Sequence, residues 1–141
     1  INVRNETTFG ADLIVGFPTE NLSQFENTLN LISICKFNNV HIFPFSPKNG
    51  TPAAKMPLLN NKEISSRANE ARIHSRNILK KLMKTKLGQK EKILFENFKT
   101  SYTNNFYKVS VNPKKELDIK SGLTYDVKLK TFSNGKFLAE F

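Results

Sequence analysis

Apolar residues change their spacing twice along this chain, and each change predicts a different kind of element. The run Gly10-Ala11-Asp12-Leu13-Ile14-Val15-Gly16-Phe17-Pro18 is short, nearly continuous and stopped by Gly and Pro, the pattern of a strand buried on both faces in a parallel sheet. Thr19 is placed to cap a helix, with Glu20 in its first turn where the dipole favours negative charge. Leu22, Phe25, Leu29 and Ile32 then recur at spacings of three and four and form one stripe of an amphipathic helix. A second strand is expected from Val40 through Ile42 and Phe43, ending at Pro44, which has no amide hydrogen for a ladder bond. Strand, helix and strand in that order make one right-handed crossover unit of a parallel sheet. The loop Ser46-Pro47-Lys48-Asn49-Gly50-Thr51-Pro52 leaves the second strand at its carboxyl end, where α/β folds place ligands.

From about Lys62 to Lys86 the period becomes helical over a long stretch, with an inner stripe of Ile64, Ala68, Ala71, Ile78 and Leu82 and a basic outer face. Gly88 is the stop signal. Beyond it the pattern alternates. Ile93-Leu94-Phe95 predicts a short strand, Tyr107, Val109 and Val111 another, Tyr125, Val127 and Leu129 a third, and Phe137, Ala139 and Phe141 a last one. Ser133-Asn134-Gly135 predicts a hairpin turn, because Asn-Gly tolerates the positive φ that tight turns demand. Four or five short strands in about 50 residues fit a small antiparallel barrel. The expected fold is therefore α/β followed by a small all-β domain, divided near Leu87 to Gln89.

Charge sharpens this division. Residues 1 to 61 carry four basic and four acidic side chains, whereas residues 62 to 92 carry ten basic against three acidic, a local charge of +7 out of +10 for the whole chain. Positive charge gathered in the second half is what a polyanion-binding surface requires, since each phosphate neutralised releases condensed counterions. Arg72, Arg76, Lys80, Lys81 and Lys84 on the helix and Lys108, Lys128 and Lys130 on the later strands are the candidate contacts. The single cysteine, Cys35, excludes an internal disulfide framework and any all-cysteine metal or cluster site within one chain, and its apolar surroundings suit a core thiol. His41 and His74 have no second ligand at metal spacing and read as structural. No apolar run is long enough to span a membrane and no secretory signal opens the chain, so the cytosol is the expected compartment.

Two stretches carry a family resemblance. Gly10 through Val15-Gly16-Phe17-Pro18-Thr19-Glu20 resembles the fifth strand and following turn of radical S-adenosylmethionine methylthiotransferases, usually ending G-F-P-G-E. His41 through Ser46-Pro47-Lys48-Asn49-Gly50-Thr51-Pro52-Ala53-Ala54 resembles their sixth strand, usually S-P-R-x-G-T-P-A-A, and Met56-Pro57 looks closest to the branch that methylthiolates threonylcarbamoyladenosine in tRNA. Residues 89 to 141 are similar in place and pattern to the RNA-binding TRAM barrel that ends these enzymes. Two positions depart from the pattern: Thr19 stands where the family usually has Gly, and Lys48 where it usually has Arg, which keeps the charge and loses the bidentate fork.

The resemblance implies a carboxy-terminal portion of a partial (β/α) radical-SAM barrel at residues 1–88 and a TRAM-like RNA-binding barrel at 89–141. It implies Ile14, Val15 and Gly16 as contacts to S-adenosylmethionine, with Gly50 and Thr51 at the mouth of the site, although Ile14 and Val15 suit a buried strand and Gly50 a turn equally well. S-adenosylmethionine and 4Fe-4S clusters serve the full-length family. None is expected on this chain alone, because the cluster-binding Cys-x-x-x-Cys-x-x-Cys run lies upstream of anything present here. The chain is accordingly expected to be a carboxy-terminal fragment of a tRNA methylthiotransferase that needs its upstream cluster-bearing portion. Alternatively it is the decayed tail of a broken gene, retaining at most RNA binding without catalysis. A basic adaptor unrelated to RNA is the remaining reading, disfavoured by the paired strand motifs.

Overall fold

The computed structural model describes residues 7–112 and 119–141. It divides into two compact units, Phe9–Leu79 and, in the main, Lys80–Phe141. The first contains β1 (Gly10–Val15), α1 (Leu22–Ile34), β2 (Asn39–Pro44), a 3-10 turn at Pro52–Lys55, and most of α2 (Asn61–Lys86), which also supplies the first residues of the second unit.

β1 and β2 pair in parallel, from Gly10 opposite Asn39 to Val15 opposite Pro44. Strand geometry sends alternate side chains to opposite faces. Leu13, Val15, Val40 and Ile42 turn to one face, where Phe25 and Ile32 of α1 and Ala68 and Ala71 of α2 complete the core. Asp12, Ile14, His41 and Phe43 turn to the other, and there Ile14 is 58% and Phe43 50% exposed. The expectation of a strand buried on both faces is thus corrected for this chain: one face of the two-stranded sheet is covered by helices and the other is open.

The amino end of α1 also differs from expectation. Asn21 is the cap, its side chain accepting from the Gln24 N–H at 2.9 Å while the Gln24 side chain accepts from the Asn21 N–H at 2.9 Å, a reciprocal capping box. Thr19 lies outside the helix at a φ of 71°. That is the left-handed region, costly for a β-branched residue and free for glycine. α1 ends in a Schellman arrangement, with Lys36 at a φ of 50° and the Phe37 N–H reaching the Ile32 carbonyl at 3.4 Å.

The second unit holds β3 (Lys90–Leu94), β4 (Ser101–Thr103), β5 (Lys108–Val111), β6 (Thr124–Ser133) and β7 (Lys136–Glu140), closed in the order β3-β4-β5-β7-β6. β4 has no apolar alternation in its sequence; its small polar residues Ser101 and Thr103 face inward. Four of the pairings are antiparallel, but β5 and β7 run parallel. The expected all-antiparallel barrel is therefore corrected, and the reason is parity: strands that strictly alternate direction cannot close a ring of odd number. Ile93, Val109, Val111, Val127, Leu129, Phe137 and Ala139 fill the interior. Asn134 and Gly135, both at positive φ, make the expected hairpin turn.

Two glycine-like positions near β1 make opposite predictions. Thr19→Gly relieves a left-handed threonine and is expected to stabilise the chain by about 1 kcal/mol. Gly16→Ala puts a Cβ 2.8 Å from the Ile64 side chain at a φ of 74° and is expected to destabilise by about 1–3 kcal/mol. Urea denaturation of both variants checks the pair; a destabilised Thr19→Gly would mean that the threonine side chain makes a contact that outweighs its strain.

Candidate functional site

The open face of the first unit ends in a groove of about 600 Å³ at the carboxyl ends of β1 and β2. This lies within the range of about 300 to 1,000 Å³ typical of small-molecule sites. Ile14 and Phe43, which are direct Cα partners across the sheet, form its apolar wall. Phe45 extends that wall and packs edge-on against Phe17, with ring centroids 5.2 Å apart. Asp12, Ser46, Lys48 and Thr51 supply the polar lining. The turn that presents the last two is closed by the Thr51 N–H on the Lys48 carbonyl at 3.1 Å and by the Thr51 hydroxyl on the same oxygen at 2.8 Å, with Gly50 between them at a φ of 83°.

The structure places the five cofactor candidates in different environments. Ile14 and Thr51 line the groove. Val15 points the other way and is fully buried in the core. Gly16 gives its space to Ile64 and its N–H to the Glu20 carboxylate at 2.9 Å. Gly50 shapes the turn, with open space where a side chain would stand. Asp12, Phe43 and Phe45 are among the lining residues that the sequence reading did not single out; the period-two alternation that turns Leu13 and Val15 to the core is the signal that puts Asp12 and Ile14 together on the opposite face.

A buried ion pair fixes the turn beside this groove. Arg67, only 7% exposed, donates through Nη1 to the Glu20 carbonyl at 2.8 Å and the Glu20 carboxylate at 2.6 Å, and through Nη2 to Glu63. Its guanidinium carbon stands 5.5 Å from the centroid of the Phe25 ring. Burial pulls the Arg67 pKa down, but hydrogen bonds and charge from Glu20 and Glu63 outweigh it and the pKa is raised. Unlike the other basic residues of α2 that stand on the outer face, Arg67 lies three residues after Ile64 and four before Ala71, which puts it on the buried stripe. His74 is likewise tied within this unit, its Nε2 lying 2.7 Å from the Ser33 hydroxyl.

The nucleic-acid candidates divide between the units. Arg72 and Arg76 belong to the first, where Arg72 Nη2 donates to the Ile42 carbonyl at 2.9 Å and so anchors β2. Lys80, Lys81, Lys84, Lys108, Lys128 and Lys130 belong to the second and all are exposed. Lys128 has Lys90 and Glu140 as strand neighbours, and Lys130 pairs with Glu140 at 3.0 Å. Lys108 has Tyr102 on one side and Lys136 on the other. Lys86 is engaged within the unit, with Glu91 at 2.6 Å and the Tyr107 ring centroid at 5.9 Å. Burial, and then the charge of Glu91, push the Tyr107 phenol up.

Among the described residues no three His, Cys, Asp or Glu side chains come together as a metal site, so these residues do not fit an iron-sulfur cluster. The groove suits a small ligand with an apolar face, because Ile14, Phe43 and Phe45 line it together with the polar side chains of Asp12, Ser46, Lys48 and Thr51. No helix among the described residues is long and apolar enough to cross a membrane.

Comparison with known proteins places these features in context. The chain is 41% identical over 110 residues to the threonylcarbamoyladenosine tRNA methylthiotransferase MtaB of Rickettsia prowazekii, a match covering 78% of this chain and 26% of that protein. It is 35% identical over 129 residues to the tRNA-2-methylthio-N(6)-dimethylallyladenosine synthase of Bacillus velezensis, covering 89% of this chain and 22% of the relative. It is 32% identical over 135 residues to the ribosomal protein methylthiotransferase RimO of Clostridium kluyveri, covering 89% and 30% respectively. The chain thus spans about a quarter of the length of the curated relatives it matches. No protein-family model matches it.

The Arg67 pair generates a stability prediction. Arg67→Ala leaves Glu20 beside a cavity without its cation and is expected to cost about 3–5 kcal/mol. The exposed Arg76→Ala is expected to stay within about 0.5 kcal/mol of the parent. Chemical denaturation of the two variants, with native-state amide exchange at Gly16 and Phe25, checks this; a loss below about 1 kcal/mol for Arg67→Ala would show that the pair is dispensable.

Proposed function

The chain belongs to the radical S-adenosylmethionine methylthiotransferase family, and on that premise we propose that it is the carboxy-terminal portion of an enzyme that methylthiolates threonylcarbamoyladenosine in tRNA. The observation that carries this reading is the similarity to the Rickettsia threonylcarbamoyladenosine enzyme across most of the chain, through residues of both units. Residues 1–88 are read as the last strands and helix of a partial radical-SAM barrel, and residues 89–141 as a TRAM-like RNA-binding barrel acting in the cytoplasm.

In this reading the groove is one wall of the S-adenosylmethionine site. Ile14 and Phe43 would pack against the adenosine, and Asp12 and Lys48 offer the two opposite charges that an amino acid moiety calls for. Ser46 and Thr51 add hydroxyl groups to the lining. When bound, S-adenosylmethionine supplies the methyl group of the product. The cluster and its thiolates come from the upstream portion of the protein, so this chain is not competent alone. Its own contribution is to present a preformed wall whose turn is held by Arg67, and to bring RNA to it.

RNA binding is assigned to the basic part of α2 and the exposed lysines of the barrel. Exposed lysines recognise phosphate as point charges, so the interaction is salt-sensitive and tolerant of sequence. The second reading, a catalytically inactive RNA-binding remnant, rests on the same basic surface and differs from the first only in whether a cluster-bearing portion accompanies this chain.

Two measurements test these statements. Supplying the chain with the cluster-bearing upstream portion of a close relative, in cells lacking the endogenous enzyme, is expected to restore methylthiolated threonylcarbamoyladenosine detected by mass spectrometry of tRNA nucleosides. Restoration of the dimethylallyladenosine product instead would reassign the branch. Separately, the chain is expected to bind tRNA with a log-log salt slope of roughly −3 to −5, and changing Lys80, Lys81 and Lys84 to Glu is expected to weaken binding and flatten that slope. Unchanged affinity in the triple variant would place the RNA surface elsewhere.

A further inference from the structure

The turn between β4 and β5 holds a residue that the fold itself disfavours. Thr103 and Tyr107 close this turn: the Tyr107 carbonyl accepts from the Thr103 N–H at 3.0 Å, and the Thr103 hydroxyl accepts from the Tyr107 N–H at 3.2 Å. Asn104, Asn105 and Phe106 lie between them, and the Phe106 N–H returns to the Thr103 carbonyl at 2.9 Å. Phe106 has a φ of 60°. This is the left-handed place at the end of a three-residue hairpin loop, where glycine is the usual occupant because any side chain there is strained. Its ring gains nothing in return from the core. Phe106 is 77% exposed, more than any other large apolar side chain among the described residues.

A bulky residue that costs backbone strain and leaves its ring in water is explained by neither turn chemistry nor packing, and such outliers point outward to a ligand. The surroundings indicate which ligand. Lys108, two residues on, is exposed, and its strand neighbours are Tyr102 on β4 and Lys136 on β7. The Lys136 ammonium rests on the Lys99 carbonyl at 2.8 Å. No acidic residue occurs between Asn97 and Asn112. A protein-docking patch needs contiguous apolar surface, whereas the residues flanking Phe106 are asparagines, a tyrosine and lysines. One exposed π-face beside cations is instead what a nucleobase and its phosphates require.

We propose that Phe106 is a stacking platform for an unpaired base of single-stranded RNA, with Lys108 and Lys136 beside it taking the flanking phosphates. The inference rests on the reading of the second unit as RNA-binding and adds to it a specific residue, a binding mode and a preference for unpaired nucleotides. Stacking tolerates any base, so this contact contributes affinity and positioning of an exposed strand with little sequence selection.

Anisotropy titrations of the full chain with a labelled oligouridylate, which has no secondary structure, test the proposal. Phe106→Asn installs a residue that suits the left-handed position, so the melting temperature is expected to hold or rise. Affinity is expected to fall roughly 5- to 100-fold, with an unchanged salt slope because no phosphate contact is removed. Phe106→Trp is expected to retain binding, and changing both Lys108 and Lys136 to Gln to reduce the slope by about 2. If Phe106→Asn binds like the parent, the platform is refuted while the RNA reading stands. Lost binding accompanied by a lowered melting temperature, or lost binding in Phe106→Trp, would also refute it, because the ring would then be structural. If the parent chain binds neither oligouridylate nor tRNA, the RNA-binding reading fails and the platform with it.

Discussion

A guanidinium removed from water must have its hydrogen-bonding capacity met, and the first unit is arranged around meeting that of Arg67. Glu20 supplies both a carbonyl and a carboxylate oxygen, Glu63 supplies another carboxylate, and Phe25 lies against the guanidinium plane. The same Glu20 carboxylate receives the Gly16 N–H. The turn that follows β1 is therefore tied to α2 through one charge. Two residues of that turn, Gly16 and Thr19, have positive φ, and conformations of this kind persist only where the surroundings over-determine them. The groove opens where β1 enters this turn, so its wall inherits the rigidity of the pair.

The second unit depends on a different constraint, closure. A two-residue period along β5, β6 and β7 sends Val109, Val111, Val127, Leu129, Phe137 and Ala139 inward. Lys108 and Lys128 are then directed outward by the same geometry. The basic surface of the barrel is thus the complement of its core, and no separate device is needed to display it. Closing five strands forces one parallel pair, which falls between β5 and β7 and sets Lys108 beside Lys136.

Besides Asn134 in the β6–β7 hairpin turn, three non-glycine residues at positive φ mark three different situations. Lys36 ends α1 in a Schellman motif, where the hydrogen bonds it permits offset its strain. Thr19 occupies a place in the turn after β1 where the resembling family usually has Gly, and the structure supplies the reason for that preference. Phe106 is strained and exposed together, which no local or core interaction accounts for.

The sequence by itself determined the elements whose apolar pattern is clear: β1, α1, β2, the long α2, and four of the five barrel strands with their Asn-Gly turn. It also located the loop that lines the groove and the concentration of positive charge, because composition and spacing are local properties. It could not reveal β4, whose inward residues are the polar Ser101 and Thr103, nor the parallel β5–β7 pair, which follows only once the ring closes. Nor could it show that Asn21 rather than Thr19 caps α1, since both are competent capping residues and the choice rests on the Arg67–Glu20 pair drawing Glu20 back from the helix. The direction of each side chain at the groove was likewise decided in three dimensions. Ile14 and Val15 are equally apolar neighbours in the chain, and only the packing of two helices on one face of the sheet buries Val15 and leaves Ile14 beside Phe43 in the open groove.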